Sequence, residues 1–243
     1  MRIPRIHVDT ELAAGATIAL PQAQTHYLKH VLRLKPGARL RLFNGREDHD
    51  FGASLVADGK GLGAALEGPV AVDTESPLDC EILQGLGRGD HMDWMIQKST
   101  ELGVTRIQLF NAARTQSPPR PAQLEKKLHH WRGVAIGACE QCGRARLPEI
   151  RFQAQLQAAI EACRGERRVL LDFTGRPLAD VLADDKRPVA LLLGPEGGLD
   201  SAEVAAAEGA GFIPARLGPR VLRTETAAVA ALAITQARVG DLR

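Results

Sequence analysis

The run Leu191-Leu-Leu-Gly-Pro-Glu-Gly-Gly198 joins an apolar stretch to a loop with three glycines. At the carboxyl end of a parallel strand, such a loop lets backbone amides and carbonyls approach a small molecule, because no Cβ stands between them. It is not a phosphate-binding P-loop, since the Gly-Lys-Ser/Thr ending is missing. Asp200 or Ser201 then caps a helix with Glu203 in its first turn. A tight structural turn is the competing reading. The segment Leu217-Gly-Pro-Arg-Val-Leu-Arg-Thr-Glu-Thr226 sets two arginines, a glutamate and two threonines between an apolar strand and an Ala-rich helix. Thr224 or Thr226 can cap that helix, and the competing reading is a capped helix beside a solvated arginine pair.

Two further motifs are weaker. Gly85-Leu-Gly-Arg-Gly-Asp90 invites comparison with the dinucleotide fingerprint, but the sixth position is Asp90 where that fold needs its third glycine. A plain β–α turn is the better reading, with Arg88 and His91 facing a substrate as the functional alternative. Cys139-Glu-Gln-Cys142 sits late in a helical stretch. A zinc site needs two more ligands at suitable spacing, and a redox pair needs the motif at a helix N-terminus after a strand. Two small, partly buried cysteines fit better, and no metal is expected.

Charge adds a second theme. The 31 basic residues, 24 of them Arg, face 29 acidic ones. Thr25–Arg46 carries Lys29, Arg33, Lys35, Arg39, Arg41 and Arg46 with no acid, and Arg114–Arg151 carries eight basics against three acids. A near-neutral total with two basic segments suits a protein that meets nucleic acid on one face. Solvated helix faces are the alternative.

The elements that must position these residues fall into two blocks. In residues 1–72, short β-like stretches (Arg2–Val8, Thr17–Leu20, Arg39–Phe43, Phe51–Ala57, Gly63–Leu66) alternate with turn signals such as Lys35-Pro36-Gly37 and Asn44-Gly45, interrupted by a helix over Gln22–Val31. This pattern predicts a small β-barrel. A linker-like stretch near Asp73–Pro77 follows. Beyond it, apolar runs (Cys80–Gln84, Ile107–Phe110, Val169–Asp172, Val189–Leu193, Ile213–Leu217) alternate with helical stretches (Met92–Leu102, Ala122–Cys139, Leu156–Arg164, Ser201–Glu208, Glu225–Val239). That alternation predicts a parallel sheet covered by helices on both faces. With 243 residues, one or two domains are expected, and with 4% aromatics the core must be aliphatic. Four cysteines are too sparse for a disulfide scaffold, and the aliphatic runs are far short of a membrane span. The absence of an apolar leader predicts a soluble, cytoplasmic protein.

Taken together, six strings resemble the RsmE family of SPOUT-class RNA methyltransferases: Arg2–Val8 (RIPRIHV), His30–Gly37 (HVLRLKPG), Met95–Val104 (MIQKSTELGV), Glu140–Pro148 (EQCGRARLP), Leu191–Leu199 (LLLGPEGGL) and Leu217–Ala227 (LGPRVLRTETA). One departure is Ala113, where the family usually carries an acidic residue before the arginine at position 114. The resemblance implies a PUA-like β-barrel over 1–72 that docks RNA, then over 73–243 a SPOUT-type α/β domain with a C-terminal trefoil knot. It implies S-adenosyl-L-methionine as cofactor and a homodimer with its active site at the subunit interface. The implied reaction is methylation of uridine N3 in small-subunit (16S) ribosomal RNA, either free or in the assembled subunit.

The same resemblance distributes roles. Cofactor contacts fall to Leu171, Asp172, Gly194, Pro195, Glu196, Gly197, Gly198, Leu217, Gly218, Leu222, Arg223 and Thr226. Uridine N3 holds a proton at neutral pH, so that proton must leave or the anion be stabilised. Arg223 is the first choice for stabilising it, and Arg144 of the facing subunit the second. Glu196 or Glu225 serves as base, or else holds an arginine or caps a helix. RNA contacts fall to Arg5, Lys29, Arg33, Lys35, Arg39, Arg88, Arg114, Arg144 and Arg146. From other classes, a non-catalytic RNA-binding assembly factor would explain the basic segments but not the glycine loop. A nicotinamide enzyme built on Gly85–Gly89 lacks the sixth glycine and leaves the basic segments unexplained.

Overall fold

The computed structural model describes residues 3–59, 61–182 and 186–242, so Arg2 of the first β-like stretch lies outside the described residues. Contacts group the chain into two units, one running to Glu75 and taking in Cys139–Leu147, the other formed by Ser76–Ala138 and Pro148 onward. The sequence boundary at 72/73 leaves Cys139–Leu147 with the second block. That segment joins the first unit because its backbone supplies hydrogen-bond partners there: Leu147 N donates to Gly45 O (3.0 Å), and Gly143 O accepts from Thr74 Oγ1 (2.9 Å).

In the first unit, β1 (Arg5–His7), β2 (Thr17–Ala19), β3 (Arg39–Phe43), β4 (His49–Asp58) and β5 (Gly61–Ala71) form one sheet in the order β1-β3-β4-β5-β2. β1 runs parallel to β3, and the other neighbours are antiparallel. Along β4 the buried Phe51, Ala53 and Leu55 alternate with the more open Gly52, Ser54 and Val56, the period-two pattern of a half-buried strand. Ile6 and Ile18, from the two edge strands, pack on the same core, so the sheet curls around it. β4 and β5 outrun their expected spans because polar and glycine residues at their ends still pair, His49 with Ala71 and Asp58 with Gly61. The expected helix is α1 (Gln22–His26), which continues as a π-helical turn over Tyr27–Val31 and buries Leu28.

Two residues expected at phosphates are instead interior to this unit. Arg5 grips the fully buried Asp50 through Nε (2.7 Å) and Nη2 (2.8 Å), and donates to the carbonyls of Cys139 and Arg144. Arg144 is buried and donates from Nε to Glu75 (3.0 Å). Both guanidiniums satisfy buried acceptors, whose loss of water demands such partners. Neither is presented to solvent for RNA.

In the second unit, β6 (Cys80–Gly85), β7 (Arg106–Phe110), β8 (Glu149–Gln153), β9 (Arg167–Pro177), β10 (Val189–Leu193) and β11 (Ile213–Arg216) form a parallel sheet in the order β11-β9-β10-β6-β7-β8. Alternate strand residues enter different cores: Ile82, Val169 and Leu191 one, Leu83, Leu170 and Leu192 the other. The first core is closed by α2 (Gly89–Glu101), α3 (Pro121–Cys142), α5 (Leu178–Val181) and α7 (Thr224–Val239), the second by α4 (Leu156–Glu161) and α6 (Ser201–Gly209). Burial on both faces is why these strands read as largely apolar runs. β8 has no such run: it is a half-exposed edge strand of alternating polar and apolar residues. The last turn of α3 is counted with the first unit.

Candidate active site

A cavity of about 830 Å³ opens where β9 and β10 end, wholly within the second unit. Its walls are Leu170–Phe173 from β9, Leu193–Leu199 from the glycine loop, and Val221–Glu225 with Ala227 from the entry to α7. Arg88 and His91 come from the start of α2, and Arg114 from the loop after β7. A smaller cavity of about 70 Å³ shares Leu171 and Leu222 with it and adds Leu217 and Gly218. The structure therefore gathers Leu171, Asp172, Gly194, Pro195, Glu196, Gly197, Gly198, Leu222 and Arg223 around one space, with Leu217 and Gly218 around its neighbour. Thr226 lines neither cavity and faces solvent.

Thr224, expected only as a helix cap, ties the glycine loop in place. Its Oγ1 donates to Gly194 O (2.7 Å) and accepts from Gln84 Nε2 (2.9 Å). Gln84 Nε2 also reaches Gly194 O (3.0 Å), so the loop is tied to both β6 and α7. Neither threonine caps α7: Arg223 is its N-cap residue and makes no side-chain cap bond. The cap on α6 is as expected, with Asp200 and Glu203 forming a reciprocal capping box.

The glycines after β6 serve this loop. A Cβ on Gly85 would lie 2.5 Å from Pro195 Cδ, and one on Gly87 would lie 2.9 Å from the Glu196 carboxylate. They let β6 and the loop close together and have no call to cradle a dinucleotide. Gly197 is crowded by this chain itself, since a Cβ there would meet Arg114 Cβ at 3.0 Å. Arg114 in turn donates from Nη1 to Gly197 O (3.1 Å). Ala113 offers no carboxylate to that arginine, and its backbone N–H donates to Glu203 (2.9 Å).

Three ionisable groups meet at the cavity wall. Glu196 Oε1 accepts from Arg88 N (2.9 Å) and lies 3.3 Å from His91 Nδ1. Burial pushes the Glu196 carboxyl up, but the Arg88 N–H, its own N–H and His91 outweigh that and hold it below the usual range. Glu225 is buried in the first turn of α7, its Oε2 has no hydrogen-bond partner, and it lies 3.6 Å from His91 Nδ1. His91 thus stands between two carboxylates, and Arg223 and Arg88 are exposed nearby on the same cavity. Gln84 and Phe173 escaped the sequence reading. Gln84 could have been found as the polar interruption at the carboxyl end of an apolar strand. Phe173, 64% exposed on the rim, carries no such signal.

Of the residues expected to meet RNA, Arg33, Lys35 and Arg39 are exposed on the first unit, and Lys29 is half-buried. Arg33 holds a left-handed backbone, φ 54°. Arg146 is exposed, with a long 3.9 Å pairing to Asp48, and Arg88 and Arg114 belong to the cavity mouth. Among the described residues, no cluster of His, Cys, Asp or Glu could hold a metal ion, and no helix is long and apolar enough to cross a membrane.

The RNA methyltransferase domain family matches residues 74–236, and the RNA methyltransferase PUA domain family matches residues 20–57. Ribosomal RNA small subunit methyltransferase E of Buchnera aphidicola is 33% identical, over 99% of this chain and 98% of its own. The same-named enzyme of Neisseria gonorrhoeae, solved bound to S-adenosylmethionine, is 32% identical over the whole of both chains with a TM-score of 0.90. A Legionella pneumophila methyltransferase, solved with bound S-adenosylmethionine, is 36% identical over the whole of both chains with a TM-score of 0.93.

Proposed function

Because this chain belongs to the ribosomal RNA small subunit methyltransferase E family, we propose that it transfers a methyl group from S-adenosyl-L-methionine to N3 of a uridine in 16S ribosomal RNA. The observation that carries this reading is the cavity at the β9 and β10 ends, walled by a loop with three glycines and edged by arginines. Its residues suit the cofactor. Leu171, Leu193 and Leu222 offer apolar contact to a purine, the loop offers backbone donors and acceptors, and the unpaired Glu225 Oε2 offers negative charge to a cationic ligand.

The bound cofactor supplies an electrophilic methyl group; the protein supplies position and charge. The tie from Gln84 and Thr224 to Gly194 fixes the loop and so the ligand it holds. Arg223, exposed at the cavity, faces the uracil carbonyls and stabilises the N3 anion. Of the two carboxylates, Glu196 is occupied with Arg88 N–H and His91 and is a weak base. Glu225, buried with no hydrogen bond on Oε2 and 3.6 Å from His91 Nδ1, is the acceptor assigned to the N3 proton, directly or through His91. Arg144, buried against Glu75 in its own first unit, is not needed in this scheme.

Around this core, the first unit docks RNA through Arg33, Lys35 and Arg39. The active protein is a cytoplasmic homodimer: α2 and α7 pack together, and each leaves a large apolar side chain exposed, Trp94 and Ile234. The stretch after β10 forms a trefoil knot. Support comes from the strand order, since the chain passes from β10 to β11 on the far side of β9 and then returns to bond Gly194 through Thr224. A non-catalytic RNA-binding factor would have no use for this cavity. Titration with S-adenosylmethionine tests the reading at its base: saturable binding is expected, abolished when Leu171 and Leu222 are both changed to Asp in a folded protein.

A further inference from the structure

The mechanism leaves the Cys139–Cys142 pair unused; although the pair closes α3 where the usual redox motif opens a helix, the geometry points to a thiol–disulfide exchange site in the first unit, with Cys142 as the attacking sulfur and Cys139 as the resolving one. Cys142 opens on a cavity of about 420 Å³ that is also lined by Arg5, Arg41, Asp50 and Thr74. Cys139 lies one helical turn behind it, fully buried, with its Sγ 3.6 Å from Arg146 O. The two thiols are neighbours one helical turn apart, and the backbone N–H of Arg144 points at Cys142. The adjoining Cys139 thiol, then the Arg144 N–H and the Arg144 and Arg5 guanidiniums, outweigh burial and lower the Cys142 thiol below its usual range. Cys139 is raised by its pairing with Cys142 and by burial. One reactive sulfur that reaches a cavity, backed by one protonated sulfur that does not, is the arrangement a two-step exchange requires.

Residues three apart in a helix have neighbouring side chains, so a bridge needs only a small closure of the last turn of α3. That turn ends at Gly143, whose φ of 103° releases the chain from helical geometry. The co-reactant is a small disulfide. The Cys142 thiolate attacks one of its sulfurs, the S–S bond breaks, one small thiolate leaves, and a mixed disulfide forms on Cys142. Cys139 then attacks the Cys142 sulfur and expels the second small thiolate, which takes up the Cys139 proton as it leaves. The sum is one small disulfide reduced to two thiols and two protein thiols oxidised to one disulfide. The other cysteines are poorly placed for this. Cys80 is fully buried, and Cys163, pushed up to about 12 first by burial and then by bonding to Glu81, stays protonated.

The test incubates the full-length protein with glutathione disulfide at pH 7 and follows intact mass and peptide maps. Wild type is expected to lose two hydrogens, with the new bond mapping to Cys139–Cys142. Cys139→Ser is expected to stop at one glutathione adduct on Cys142, and Cys142→Ser to form no adduct on Cys139. Alkylation of Cys142 by iodoacetamide, which needs no folding-sensitive bridge, is expected to run about tenfold faster at pH 7 than alkylation of Cys163. Wild type left reduced, adducts mapping first to Cys80 or Cys163, or equal alkylation of Cys142 and Cys163 would each overturn the assignment.

Discussion

Glu196 and Glu225 look equivalent in sequence, one in a glycine loop and one in a helix start, and only burial and partners separate them. Glu196 spends its carboxylate on the N-terminus of α2, whereas Glu225 keeps a buried oxygen unpaired beside His91. Glu225→Gln is therefore expected to slow single-turnover methyl transfer by about 100-fold at saturating cofactor, within the usual worth of a general base. Glu196→Gln should cost less than tenfold, and comparable losses in the two variants would contradict the assignment. A second carboxylate matters for stability. Glu81, buried at the start of β6, accepts from Arg106 (2.9 Å), Gln108 (3.2 Å) and the N–H groups of Arg164 and Gly165 (both 2.6 Å). Burial pushes it up, but bonds from Cys163, Gly165 and Arg106 prevail and hold it below its usual range. A carboxyl whose folded value is depressed stabilises the fold above its unfolded value, near 4.5, and loses that contribution as pH falls toward the folded value. Urea midpoints of wild type should fall steeply below about pH 4.5. Glu81→Gln, less stable at pH 7 by about 3 kcal/mol, should show a shallower decline. Parallel pH curves would refute this role.

At the scale of elements, the apolar runs and the glycine loop were legible because a parallel sheet buried on both faces must be apolar throughout. Thr224 shows where legibility stops. A threonine at a helix start reads as a cap, but its hydroxyl is drawn away by Gly194 O, a tertiary partner no local pattern announces. β8 was lost for a related reason, since an edge strand needs no continuous apolar run. Arg5 and Arg144 read as surface cations because charge in a sequence carries no sign of the buried acid that claims it. The Gln84 tie gives this scale its prediction. Gln84→Ala should leave the fold intact yet weaken S-adenosylmethionine binding about tenfold, since one hydrogen bond holding the loop is lost. Calorimetry showing unchanged affinity would mean that the loop needs no such anchor.

At the scale of the molecule, a net charge of +2 hides a division of labour. The cavity is built entirely from the second unit, while Arg33, Lys35 and Arg39 stand exposed on the first. Arg33→Ala is expected to weaken RNA binding and lower its salt slope by about 0.7, one single-strand phosphate contact, with cofactor affinity unchanged. Arg223→Ala should leave the slope nearly intact while abolishing most turnover. If Arg33→Ala instead removed turnover with no change in slope, docking and chemistry would not be divided between the units. The account as a whole rests on the identity of the methylated atom. The measurement that tests it most directly is nucleoside mass spectrometry of 16S ribosomal RNA from cells lacking this protein, before and after incubation, free or in small subunits, with the purified protein and S-adenosylmethionine. N3-methyluridine is expected to be absent at one position beforehand and restored by wild type but not by Arg223→Ala. Full N3-methyluridine in RNA from the deleted cells, or a methyl group arriving on another atom or base, would contradict it.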